Sequence, residues 1–174
     1  MLNIRENIVT LAIVSTYGII LGNIPHAFAN EEPVVQEVIV EADPLVEFEK
    51  TKTLTKSELK ELLKAVGFEG KALRTAWAVA MKESNGRPKA HNDNINTGDD
   101  SYGIFQINML GSLGDDRREK FNLTSNKELF DPVLNAQIVY YMTRKGEDWS
   151  SWKVYPGQTN GERYEQFYAL FPTI

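Results

Sequence analysis

Leu73-Arg74-Thr75-Ala76-Trp77-Ala78-Val79-Ala80-Met81-Lys82-Glu83-Ser84-Asn85-Gly86, a polar loop, and then Ser101-Tyr102-Gly103-Ile104-Phe105-Gln106-Ile107-Asn108 form the stretch on which the reading of this chain turns. From Ala72 to Met81 only Arg74 and Thr75 are polar. A helix of that composition has little face left for water and belongs in the middle of a domain. Asn85-Gly86 ends it and Pro88 keeps it from resuming, which predicts a helix over about 71–84. Its last turn carries a carboxylate, Glu83, on the same face as Ala76, Val79 and Ala80. Residues 87–101 are loop-like, rich in Asn, Asp and Gly. Tyr102 to Ile107 then reads as a short strand or buried extended segment bearing an amide, Gln106, with Gly103 permitting close backbone approach.

Working outward, Thr55-Lys56-Ser57-Glu58 fits a capping box, with Leu54 and Leu59 placed as a hydrophobic staple. Leu59, Leu62, Leu63 and Val66 make one apolar stripe that stops at Gly67. Beyond the central stretch, Gly111 and Gly114 suggest a loop before a short helix over about 115–121, and 124–130 adds a turn. Asp131-Pro132 opens a helix running to about Arg144, with Ile138, Val139 and Met142 on its buried side and Gly146 as the stop. An aromatic loop follows, and then a closing helix over about 162–171 with Tyr164, Phe167, Tyr168 and Phe171 at helical spacing. The fold class expected is α+β, predominantly helical, with a small β element.

The chain has 174 residues and 42% apolar content, enough for one domain with a real core plus accessory segments. Residues 30–54 hold seven acids and two lysines, whereas 55–174 balance sixteen acids against sixteen bases. No basic patch argues for nucleic acid. Cysteine is absent, which excludes a thiol nucleophile and a Cys-based zinc site. Beyond position 29 the only imidazole is His91, so a two-His zinc site is excluded as well. His91 itself reads as a solvated loop residue. Carboxylate chemistry stays open, and neither a metal nor another cofactor is expected.

Residues 1–29 read as an export signal: an apolar run from Ile8 to Leu21, breakers at Asn23 and Pro25, and an Ala27-Phe28-Ala29 cleavage pattern. Cleavage after Ala29 places the domain in the cell envelope or outside the cell. An uncleaved signal would be the one link to a membrane. Residues 30–54 read as an acidic, solvated spacer, with Val38-Ile39-Val40 able to form an edge strand, and 55–174 as the folded domain.

An apolar stripe ending in a carboxylate is a poor choice for stability. Burial and the negative helix end both favour the protonated form, which suits a proton donor to a leaving oxygen. The structural alternative pairs Glu83 with Lys82, Arg87 or a loop amide.

The pattern as a whole resembles lytic transglycosylases of the soluble type and the related goose-type lysozymes. Those families carry Glu-Ser-x-Gly at the end of a buried helix and then Gly-Leu-hydrophobic-Gln-hydrophobic, matched here by Glu83-Ser84-Asn85-Gly86 and, within Ser101-Tyr102-Gly103-Ile104-Phe105-Gln106-Ile107-Asn108, by Gly103 to Ile107. The likeness extends through Asp131-Pro132-x-x-Asn135-Ala136 and the Trp152-Lys153-Val154-Tyr155 loop, and so covers about 73–164. It implies a lysozyme-like fold that cuts the β-1,4 bond between N-acetylmuramic acid and N-acetylglucosamine in peptidoglycan strands. Glu83 would be the general acid, and in the transglycosylase version also the base that takes a proton from the muramyl 6-hydroxyl as a 1,6-anhydro ring closes. Gln106, with Ser101, Tyr102 and Gly103, would line the groove, and Ser84 would bond near the acid or an N-acetyl group. Asn108, Asn135 and Tyr155 complete the implied substrate contacts, with Tyr141 an alternative for the tyrosine role.

Inverting hydrolysis needs a second carboxylate to activate water. The goose-type position after the Gln-hydrophobic pair is Asn108 here, which cannot act as a base, so the loop acids Asp93, Asp99 and Asp100 are the candidates. The resemblance also weakens in places: Val139 stands where a glycine is common, and Tyr155-Pro156-Gly157 replaces a Tyr-Asn-Ala-Gly motif. A monomeric transglycosylase is the leading expectation. A hydrolase and a non-catalytic wall-binding protein are the alternatives. Asp115-Asp116-Arg117-Arg118 reads as a solvated helix face, and Trp149 and Trp152 as core closers or sugar-stacking rings.

Overall fold

The computed structural model describes residues 43–153 and 161–173, with side chains from Tyr164 onward in the last segment. The export signal, the Val38-Ile39-Val40 segment and Tyr155 lie outside the described residues. Five α-helices dominate: α1 (Lys56–Val66), α2 (Gly70–Ser84), α3 (Gly111–Phe121), α4 (Pro132–Met142) and α5 (Gly161–Ala169). A three-stranded antiparallel sheet, β1 (His91–Asn92), β2 (Ser101–Tyr102) and β3 (Ile107–Asn108), sits between α2 and α3 in the chain. The architecture is thus α+β and mostly helical, as expected from the sequence.

The local signals at the helix ends are realised in atoms. Thr55 accepts the Glu58 N–H while the Glu58 carboxylate accepts the Thr55 N–H at 2.7 Å, closing the capping box on α1. Asp131 caps α4 by accepting from Val133 and Leu134. Asn85 ends α2 in the left-handed conformation (φ 56°), and the next N–H, of Gly86, reaches back to the Ala80 carbonyl at 3.2 Å. As its composition demands, α2 is the central helix: Ala76, Trp77, Ala78, Val79 and Ala80 are all fully buried. It packs between α1 and α5, and the Trp77 indole N–H is satisfied by the Lys56 carbonyl at 3.0 Å.

Three regions depart from the sequence reading. Residues 43–54 are not wholly a solvated spacer: a 3-10 turn at Val46–Phe48 puts Leu45 and Phe48 into the core. The folded unit therefore starts ahead of α1, because the apolar residues among those acids are spaced to reach one surface. Gly111 and Gly114 are not loop but the first turns of α3. A Cβ at Gly114 would meet the Met109 carbonyl oxygen, so the glycine serves close packing rather than flexibility.

The third departure positions the site. Tyr102 to Ile107 is not one strand but the tip of a hairpin. Tyr102 pairs with Ile107 and Ser101 with Asn108, and the chain reverses across Gly103, Ile104, Phe105 and Gln106. The side chains of Ile104 and Phe105 are fully buried, each contributing about 1.5–3 kcal/mol of apolar burial. A turn driven into a core carries backbone groups that water cannot reach. Here side chains from three other elements satisfy them. Ser84 of α2 donates to the Ile104 carbonyl (2.7 Å), Asn135 of α4 accepts the Phe105 N–H (3.1 Å), and the Trp152 indole donates to the Phe105 carbonyl (2.9 Å).

Candidate active site

Between the end of α2, the hairpin, α3 and the Ser150–Trp152 turn lies an open groove of about 470 Å³, and Glu83 stands in its wall. Its side chain is about one-fifth exposed, with Oε1 held at 2.8 Å by Lys82 Nζ. Neighbouring residues on a helix do not face each other. The pairing arises because Lys82 curls over the Tyr164 ring, its ammonium 4.8 Å from the ring centre, and reaches back to the carboxylate. The Tyr164 hydroxyl, from α5, lies 3.2 Å from Glu83 Oε1 and 3.1 Å from the Trp152 carbonyl, so its single O–H is shared between two acceptors. Glu83 therefore sits among two donors rather than in the dry apolar pocket that its helix face suggested. Burial, and after it the nearby Glu83 carboxylate, push the Tyr164 hydroxyl well above the ordinary phenol range, so it stays an O–H donor at any working pH.

The hairpin divides the other candidates by its pleat, because successive side chains along a strand point to opposite faces. Asp99, Ser101 and Asn108 line the groove with Glu83 and Gln106. Asp99 is oriented by the hydroxyls of Thr97 (3.1 Å) and Ser101 (3.4 Å). Asp100 and Tyr102 lie on the other face, where Asp100 pairs with His91 Nε2 at 2.9 Å and the imidazole stacks on the Tyr102 ring at 4.3 Å. Burial, followed by the bond to Asp100, raises the Tyr102 hydroxyl above its ordinary value. His91 is exposed, as expected, but it lies in β1 rather than in a loop and is engaged by Asp100 and Tyr102. Asp93 is exposed and outside the groove lining.

Gln106 occupies the left-handed region (φ 51°), and its amide Nε2 donates to the carbonyls of Gly103 (2.9 Å) and Ala90 (3.1 Å). The side chain is held rigidly, with its Oε1 lacking a partner among the described residues. Asn108 is also braced: Nδ2 donates to the Gly98 carbonyl at 2.7 Å and Oδ1 accepts the Leu110 N–H at 2.9 Å.

Ser84, Gly103 and Asn135 do not reach the groove. Ser84 is 2% exposed and bonded to the hairpin tip. Asn135 is fully buried, its Nδ2 donating to Tyr102 (3.0 Å) and Leu129 (2.9 Å) carbonyls while Oδ1 accepts from Phe105. Gly103 (φ +77°) lies so close that a Cβ would stand 2.3 Å from the Asn135 amide nitrogen and the Leu129 oxygen. These three residues form a clamp behind the site. Tyr141 is exposed on α4, outside the groove lining, beside a separate depression of about 560 Å³ lined by Lys120, Tyr140, Tyr141, Met142, Arg144 and Lys145. No carboxylate is among the residues that line that depression.

The groove also contains residues that sequence reasoning passed over. Arg117 of α3, read as part of a solvated face, lines the groove half-buried and donates through Nη1 to the Asn108 carbonyl. Its neighbour Arg118 turns away to Asp115 and Asn126. Lys153 and the edge of Trp152 complete the wall, whereas Trp149 is buried with its indole N–H on the Gly146 carbonyl at 2.9 Å. Tyr164 carries no local signal, being separated from Glu83 by most of the domain. Among the described residues, no cluster of three or more His, Cys, Asp or Glu side chains could hold a metal ion. Nor is any described helix long and apolar enough to cross a membrane.

No curated protein and no solved structure matches this chain. A family model described as Lysozyme like domain matches residues 60–154, which runs from within α1 through the Ser150–Trp152 turn and takes in every groove-lining residue named above, but not Tyr164, which bonds Glu83 from α5. Such a domain points to peptidoglycan cleavage in general. The match covers more than half of the chain, and the protein belongs to the lysozyme-like domain family.

Proposed function

We propose that this protein is an exported peptidoglycan-cleaving enzyme that cuts the bond between N-acetylmuramic acid and N-acetylglucosamine, acting as a lytic transglycosylase with Glu83 as its only acid–base group. The observation that carries the reading is a carboxylate at the mouth of a buried helix, in a groove open enough for a glycan, with Asn108 where a hydrolase of the related type has a second acid. Glu83 in its protonated form donates to the glycosidic oxygen as oxocarbenium character grows at the muramyl carbon. Lys82 and Tyr164 then stabilise the carboxylate that this transfer leaves. That carboxylate takes the proton of the muramyl 6-hydroxyl, whose oxygen closes on the anomeric carbon to give a 1,6-anhydro end. Gln106, its amide nitrogen held by the backbone, offers Oε1 to a sugar N–H or hydroxyl.

A second reading rests on Asp99, which lines the same groove and is oriented by two hydroxyls. As a base it would activate water, and the product would be a reducing end. Mass spectrometry of the digested wall separates the two: anhydro ends support the transglycosylase, and ends that have gained water refute it. Glu83→Gln tests catalysis against a purely binding role, since undiminished digestion would remove Glu83 from the mechanism. Export rests on the apolar run before Ala29, and the mass of the protein recovered from its host is expected to correspond to a chain starting at Asn30. A full-length mass in the mature fraction would refute cleavage there.

A further inference from the structure

Groove charge is arranged in a way that cleavage of the glycosidic bond does not require. Lys82 is accounted for by Glu83. Arg117 is different: its guanidinium is half-buried, it donates to a backbone carbonyl, and no carboxylate among the described residues pairs with it. Asp99, the nearest candidate by lining, is bound instead to Thr97 and Ser101. Burial depresses the Arg117 pKa, and among the described residues no acid acts against it. Desolvating a cation without a counter-charge is unfavourable. A guanidinium fork is also the side chain best shaped to accept a carboxylate through two parallel bonds. Lys153 lines the same groove and adds a second positive charge.

We propose that Arg117, assisted by Lys153, forms a carboxylate-binding subsite in the Glu83 groove, so that the preferred substrate is a glycan carrying an anionic substituent rather than a neutral one. This deepens the reading of the groove as a glycan-cleaving site and rests on it. The carboxylate has two sources in a muramyl glycan: the lactyl group itself once the peptide is removed, or the acidic residues of an attached peptide. In either case Arg117 holds the substituent while Glu83 meets the glycosidic oxygen. Arg117 is therefore a specificity residue, not a catalytic one.

The test is equilibrium binding of the full chain, in the Glu83→Gln background so that turnover is slow on the timescale of the measurement. Three glycans are compared: an uncharged N-acetylglucosamine oligomer, a muramyl glycan stripped of peptides, and a peptide-bearing muramyl glycan. Both charged glycans, or the peptide-bearing one alone, are expected to bind more tightly than the neutral oligomer, and added sodium chloride is expected to narrow the gap. Persistence of the preference after stripping assigns the lactyl carboxylate, and its loss assigns the peptide. Adding Arg117→Met is expected to weaken charged-glycan binding about tenfold more than it weakens binding of the neutral oligomer, with Arg117→Lys in between. Equal loss on all three glycans, or a salt-independent preference, would overturn the proposal. Salt dependence is read without substituting Arg117, so it decides even if the Met variant fails to fold. Failure of the cleavage reading is separate: wild-type protein would then cut none of the three glycans, whatever their order of binding.

Discussion

The hairpin at Ser101–Asn108 has polar residues on two sides, and they are used in opposite ways. Behind it, Ser84, Gly103 and Asn135 are buried, and the two side chains direct their polar atoms to backbone of the buried turn. In front, Glu83, Gln106, Asp99 and Arg117 line an open groove, and each is held by only part of its bonding capacity. Glu83 and Ser84 are consecutive in the chain yet fall on different sides, because one step along a helix turns the side chain by about a quarter of a circle. A recurring sequence motif can thus mix residues that hold the turn with residues that face a substrate. Complete satisfaction marks the first kind, and capacity left open marks the second.

The comparison can be broken by substitution. On the groove side, Glu83→Gln is expected to lower peptidoglycan digestion about a hundred- to ten-thousandfold, while thermal unfolding moves by less than about 1 kcal/mol. A large loss of stability with it would put Glu83 among the structural residues. On the clamp side, Asn135→Ala removes one acceptor and two donors from buried backbone groups, and is expected to cost about 3 kcal/mol or more in urea unfolding. A raised KM with unchanged stability would instead return Asn135 to the groove.

Tyr164 stands behind Glu83 on the groove side, bonded to it and to the Trp152 carbonyl, and it sharpens the contrast with the smallest effect. Its hydroxyl is raised by burial and by Glu83, so above the ordinary phenol value of about 10 the folded state holds a proton that the unfolded chain releases. The contribution is fully present below that pH and is lost as pH rises beyond it. Tyr164→Phe should therefore flatten the fall in stability on the alkaline side of about pH 10, leaving the smaller slope from Tyr102, which shifts in the same direction. An unchanged slope would mean that Tyr164 is not held as described.

Much of the frame was legible because its causes are local. The capping box at Thr55, the Asp131-Pro132 start and the Asn85 stop each depend on a few adjacent residues, and each appears where its sequence signature lies. The nearly all-apolar surface of α2 left it no place but the centre. The sequence also singled out Glu83 and Gln106, and both line one groove.

What the amino-acid order could not decide was which polar residues face each other across the fold. The substitution of a buried hairpin tip for a strand depended on Ser84, Asn135 and Trp152 converging from three separate elements. The contact of Tyr164 with Glu83 depended on α5 packing on α2, and the entry of Arg117 into the groove on how α3 seats against Met109 through Gly114. Periodicity and capping are properties of neighbours in the chain, whereas the environment of a charge is set by whatever tertiary packing brings beside it. The sequence alone determined a helical domain built around one central helix that ends in an acid. Only the tertiary structure decided what surrounds that acid, and which of its motif neighbours hold the fold rather than the substrate.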